Sequence, residues 1–234
     1  TAVAESLTVA FQALPAATVV VNADQEVVSR VVLTAGTVGD VRVTSMTFTA
    51  DDATTLDGAS AVSTSLGSMT LYDGTTVLGG PKNFTDATPD TVVFSGLNLL
   101  IPKGTQKLLD LKGNALVAGT FYTGFADLTG DSSDVIGIGA LSNTTIYGTG
   151  TNADDSGGLI IAAEGTLNVS VDAASPSATH VAVGSGGTSD VEFAKFRFAA
   201  NNEAVDMEQI VLTLARDNNT GSDNNDVPNF ASVR

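Results

Sequence analysis

The chain has 234 residues, which is enough to bury one large hydrophobic core or two modest ones. Its formal net charge of −16 argues against nucleic acids and anionic membrane surfaces as partners, because both are bound through clustered Lys and Arg. The absence of cysteine excludes disulfides, thiolate metal sites and a cysteine nucleophile.

The composition favours strands over helices. Apolar residues make up 43% of the chain and aromatic residues 6%, with 24 Gly and no Trp. Val and Thr suit strands, whereas the Lys and Glu that usually cover helices are scarce. The longest apolar runs, such as "LIIAA" at 159–163, fall far short of the ~20 residues that span a bilayer. We therefore predict an all-β fold with no membrane insertion in this segment.

Alternating apolar and polar residues predict the first strands in chain order. "SLTVAFQA" begins at Ser6, Pro15 interrupts the pattern, and "TVVV" resumes it as an edge strand that changes sheet. Two longer strands are predicted at 26–35 and 41–50.

Turn residues separate the strands that follow. "GSMTLYDG" (67–74) ends in an Asp-Gly turn suited to a hairpin, and "PKGT" (102–105) predicts a tight turn into the strand 107–116. From 117 to 163 the strands are shorter and glycines are denser. The alternation predicts these core residues: Leu7, Val9, Phe11, Val31, Leu33, Phe48, Leu71, Phe94, Leu97, Leu99, Ile101, Leu109 and Leu111.

The opening pattern occurs twice. "LTVAFQALPAATVVV" from Leu7 is matched by "LNVSVDAASPSATHVAV" from Leu167, and "VRVTSMTFT" (41–49) by "VDMEQIVLT" (205–213). In both copies of the second segment the alternation slips by one residue, as it does at a β-bulge. We predict one complete module at 1–162 and the first strands of a truncated second module at 163–234.

The second copy holds too few strands to close a sandwich. We expect its missing strands to come from the continuing chain, with Arg234 not a natural C-terminus, or from a neighbouring copy. The side chains that then need covering are Val191, Phe193, Phe196, Phe198, Ile210 and Leu212.

These segments, with "MTLYDGTTVLGG" and "FSGLNLLIPKGTQKLLDLKGN", resemble the tandem immunoglobulin-like repeats of very large bacterial cell-surface and S-layer-like proteins. The resemblance covers most of 5–116 and 164–234 and is weaker over 117–163. It implies tandem Ig-like antiparallel β-sandwiches outside the cell, whose partners are other copies of the protein or adjoining repeats. It carries no catalytic residue.

The residues offer little catalytic chemistry. His180 is the only histidine, and no Gly-x-Ser-x-Gly turn accompanies it. Carboxylate pairs such as Asp131 and Asp134 lie in Gly- and Ser-rich stretches, without the tryptophans that commonly stack sugars in glycosidases. We expect no enzymatic activity and no required cofactor.

Acidic loops suggest calcium as a ligand, because Asp and Asn supply the hard oxygen atoms that it prefers. "DNNTGSDNND" (217–226) lacks the spacing of an EF-hand, and a solvated Asx-rich turn is the alternative. The candidate calcium ligands are Asp217, Asn219, Asp223 and Asp226, with Asp51, Asp52 and Asp57 in the equivalent loop of the first copy.

The sequence thus favours a non-enzymatic structural module of an extracellular or cell-surface protein: a stalk, fibre or S-layer lattice element. The alternative is an adhesive or carbohydrate-binding domain with its ligand face in 117–163. An exposed cluster of aromatic rings there would favour the alternative, and the rings concerned are Phe121, Tyr122, Phe125 and Tyr147.

Overall fold

The computed structural model describes residues 4–12, 14, 18–52, 62–85, 89–131, 133–150, 158–177 and 191–212. Every regular element within these ranges is a β-strand, so the all-β prediction is confirmed. The strands are β1 (Leu7–Phe11), β2 (Thr18–Val20), β3 (Glu26–Ala35), β4 (Val41–Asp51), β5 (Leu66–Asp73), β6 (Thr76–Lys82), β7 (Asp90–Ile101), β8 (Gln106–Ala115), β9 (Gly119–Gly124), β10 (Val135–Gly139), β11 (Thr145–Thr149), β12 (Leu159–Ala162), β13 (Thr166–Val171) and β14 (Phe196–Asn201).

Twelve strands form one hydrogen-bonded network in the order β2-β12-β9-β4-β10-β11-β1-β3-β8-β5-β6, with β7 on the other edge of β4. Most neighbours are antiparallel, but β1 pairs with β11 and β2 with β12 in parallel. Strands β1 and β2 therefore lie in different parts of the network, as expected for a strand that changes sheet.

The predicted bulge lies in β4. Its register shifts between Val43 and Ser45 against β7, and β10 shifts opposite the same point, between Ile136 and Gly137. The extra residue puts Val43 and Met46 on the same buried side although they are three positions apart. The phase slip seen in the sequence has a structural cause.

The core lies between two groups of strands. One group is β3 with its neighbours β1 and β8, and the other is β4 with its neighbours β7, β9 and β10. Phe48 of β4 packs against Phe125 with ring centroids 4.8 Å apart and the ring planes tilted by 30°, and it meets Phe94 of β7 edge to face at 6.1 Å. Across the core, Thr123 Oγ1 of β9 donates a hydrogen bond to the Val28 carbonyl of β3 at 2.9 Å. The predicted core residues are buried, except that Phe11, at the end of β1, is half-buried.

Strands β13 and β14 form a separate two-stranded sheet within the described residues. Their antiparallel register repeats that of β1 and β3. Val169 lies opposite Phe198 where Val9 lies opposite Leu33.

The same backbone hydrogen bond flanks the β1–β3 pair and the β13–β14 pair. The Gln12 amide donates to the Arg30 carbonyl at 2.9 Å, and the Asp172 amide donates to the Lys195 carbonyl at 2.8 Å. This bond makes Lys195 the counterpart of Arg30.

Candidate functional site

The acidic residues Asp51 and Asp52 lie where β4 ends. Asp51 is fully buried and Asp52 is exposed, and the Asp52 amide donates to Asp51 Oδ1 at 2.7 Å. The strand register places Asp51 opposite Tyr122 of β9. One of the two carboxylates thus faces the interior and the other faces water.

A second buried carboxylate, that of Asp90, lies at the same end of the sheet. Asp90 begins β7 opposite Ala50 of β4, and its Oδ2 accepts hydrogen bonds from the amides of Val62, at 2.5 Å, and Ser63, at 2.7 Å. It anchors the turn that leads into β5. The only sequence signal for this role is an Asp directly before an alternating run.

The described carboxylates at this end serve as acceptors for backbone amides. Nowhere in the described ranges do three or more His, Cys, Asp or Glu side chains form a group that could hold a metal ion. Asp57 and the second predicted set, Asp217, Asn219, Asp223 and Asp226, lie outside the described residues. Calcium binding stays a prediction.

A third acidic group surrounds the turn before β10. Asp134 Oδ2 accepts the Asp127 amide at 2.8 Å, and Asp131 Oδ1 accepts the Thr129 hydroxyl at 3.0 Å. Burial, with the nearby Asp127 charge, raises the pKa of Asp134 despite the amide donors from Ala126 and Asp127. These contacts hold the turn together. His180 lies outside the described residues.

Glu5 connects two distant parts of the chain. Its carboxylate accepts the amides of Leu141 and Ser142 at 3.0 Å each, in the turn between β10 and β11, and also the Ser142 hydroxyl. These hydrogen bonds lower the pKa of Glu5. The carboxylate clamps the segment before β1 to a turn about 136 residues away.

The predicted aromatic cluster is divided between core and surface. Phe121 and Phe125 are buried, and the Phe125 ring packs against the rings of Phe11 and Phe48. Tyr122 is half-buried, whereas Tyr147 is 38% exposed. The four rings therefore do not form one exposed aromatic surface.

Tyr147 lines a cleft of about 580 Å³ near the Glu5 clamp. Ser142, Thr144 and Thr149 also line it, so hydroxyl groups lie beside one partly exposed ring. Polar groups around an aromatic side chain can contact a sugar or another polar ligand.

Strands β13 and β14 carry large apolar side chains that are exposed. We name the side of this pair that corresponds to the buried side of β1 and β3 the β13–β14 face; its large side chains are Leu167, Val169, Val171, Phe196 and Phe198. Each of these is at least 39% exposed. The chain beyond β14 adds further exposed apolar residues, namely Val205, Met207, Ile210, Val211 and Leu212. Groups of exposed apolar side chains are typical of interaction sites.

No protein-family model, curated protein or solved structure matches the chain. In the described parts of the chain, no helix is long and apolar enough to cross a membrane. The similarity to immunoglobulin-like surface repeats therefore rests on the sequence pattern alone.

Proposed function

We propose that the chain is a non-enzymatic structural module of an extracellular or cell-surface protein, serving as a stalk, fibre or S-layer lattice element. In this proposal 1–162 form a complete Ig-like sandwich and 163–234 begin a second one of the same type. The observation that carries it is the repeated strand pair, which has the same register and the same flanking hydrogen bond in both copies. Tandem repetition of a β-unit suits a protein that spans distance or builds a lattice.

The chemistry of the described carboxylates also supports the proposal. Asp90 and Glu5 each hold a turn in place through backbone amides, and Asp134 does the same before β10. Such contacts hold turns of the fold in place. A large net negative charge would keep an exposed surface protein soluble.

The localisation is tested on intact cells of the source organism with an antibody raised against the purified chain. We expect the antibody to label cells without permeabilisation, and an added protease to remove the label. An antibody against a cytoplasmic protein, which labels only permeabilised cells, is the control. Labelling that requires permeabilisation would refute the surface proposal.

The cleft at Tyr147 favours one alternative function, that of an adhesive or carbohydrate-binding domain with its ligand face in 117–163. Tyr147, Ser142 and Thr144 lie within that segment and line the cleft. A glycan array probed with the purified chain tests it, with Tyr147→Ala as the matched variant. Binding that the variant loses would support the alternative, and an array without signal would contradict it.

A further inference from the structure

The strand pair β1 and β3 shows which strand lies next to the counterpart of β14. In the first strand pair, β3 carries β1 on one edge and β8 on the other, both antiparallel. Leu109 of β8 lies opposite Val31, and both are buried. Phe196 is the counterpart of Val31, because Val171 lies opposite Phe196 as Phe11 lies opposite Val31. An added strand on β14 would place its own apolar residue beside Phe196.

A charged residue beside β14, on the solvent-facing side of the strand pair, also favours an added strand that resembles β8. Arg30 lies opposite Asp110 of β8, and its Nε donates to Asp110 Oδ1 at 2.6 Å. Its counterpart Lys195 is exposed and reaches Glu192, three residues earlier in its own segment, at 3.1 Å. Lys195 thus holds the position from which Arg30 meets the carboxylate of β8, and its present partner Glu192 is exposed.

We propose that β14 binds one antiparallel strand of the β8 type, supplied by a further repeat of the same kind. This strand has apolar residues at alternate positions and a carboxylate opposite Lys195. The β8 of a second copy of this chain is not the donor, since it is already paired with β3 and β5. The inference rests on the proposed function and names the partner that joins the repeats.

The experiment uses the whole chain and a labelled peptide with the sequence of residues 104–116, "GTQKLLDLKGNAL". We expect saturable binding at one peptide per chain by fluorescence anisotropy, and slower amide exchange at 196–201 when the peptide is bound. A peptide with the same residues in scrambled order is the control. Phe196→Ala should weaken binding about tenfold or more, because it removes the apolar side chain that lies opposite the Leu109 position of the peptide.

A charge exchange tests the register. The peptide change Asp110→Lys should weaken binding about threefold, and Lys195→Asp in the chain should restore it. Equal binding of the scrambled peptide, no saturable binding, or protection confined to β3 and β5 would overturn the proposal. So would a dimer of the chain alone, detected by sedimentation, that Phe196→Ala abolishes. None of these results bears on antibody labelling of intact cells, so the two proposals can fail separately.

Discussion

Val9 and Val169 occupy the same position in two strand pairs of identical register, yet Val9 is 1% exposed and Val169 is 57% exposed. The difference comes from what lies over each strand pair. Val9 belongs to the core that also contains Phe48 and Phe94, whereas β13 and β14 pair only with each other within the described residues. The local sequence specifies the strand pair, and the covering strands determine its burial.

The first prediction compares two equivalent positions. Leu33→Ala should lower the free energy of unfolding by about 2–5 kcal/mol, because Leu33 is fully buried and its truncation leaves a cavity. Phe198→Ala, at the matching position, should cost less than about 1 kcal/mol because its ring is 39% exposed. Urea unfolding followed by circular dichroism measures both. Equal losses would mean that the second face is covered in solution.

The second prediction concerns the Asp90 carboxylate. Asp90→Ala should destabilise the fold by about 2–4 kcal/mol, since the amides of Val62 and Ser63 lose a buried acceptor. Asp24→Ala is the matched control, because Asp24 is exposed and lies outside the candidate calcium loops, and its effect should stay within about 0.5 kcal/mol. Thermal melts of the two variants give the comparison. Similar melting temperatures for both would show that Asp90 does not anchor this turn.

Local pattern predicted much of the fold. The bounds of β3, the bulge in β4 and the burial of Val31 and Leu33 all follow from the alternation of apolar residues. The turn at Gly74 follows from the Asp-Gly pair, and the glycine has a φ of 60°, which favours residues without a β-carbon.

Pairing between distant segments was not predicted. The parallel contact of β1 with β11 and the clamp from Glu5 to Ser142 join residues far apart in sequence, and no local period encodes them. Asp90 was missed for the same reason, because its amide partners lie 27 and 28 residues earlier in the chain. Phe11 is half-buried, a consequence of its place at the end of a short strand.

The third prediction tests calcium. Binding to the folded chain alone would stabilise it by mass action, so EDTA should lower the melting temperature and added Ca²⁺ should restore it. Asp52→Asn, at an exposed candidate ligand beside the buried Asp51, should reduce this dependence if the ion lies at the end of β4. Asp24→Asn, outside the predicted loops, should leave the dependence unchanged. A melting temperature unaffected by EDTA would leave only the solvated-turn interpretation.

The fourth prediction concerns acid stability, where two carboxylates act in opposite directions. The pKa of Glu5 is lowered by its hydrogen bonds to Ser142 and Leu141, so Glu5 stabilises the fold above its ordinary pKa of 4.5. That contribution is lost as the pH falls through the lowered value. The pKa of Asp134 is raised by burial, so its contribution is fully present below its ordinary pKa of 3.8 and is lost as the pH rises through the raised value.

Non-titrating variants separate these two contributions. The stability of the wild type relative to Glu5→Gln should fall on acidification, because only the wild type loses an ionised acceptor of the Ser142 and Leu141 donors. Relative to Asp134→Asn it should instead rise, since the folded wild type takes up a proton more readily than the unfolded chain. Urea unfolding at a series of pH values between neutral and acid measures both differences. Parallel pH profiles for the wild type and Asp134→Asn would show that the burial of Asp134 does not perturb its titration in solution.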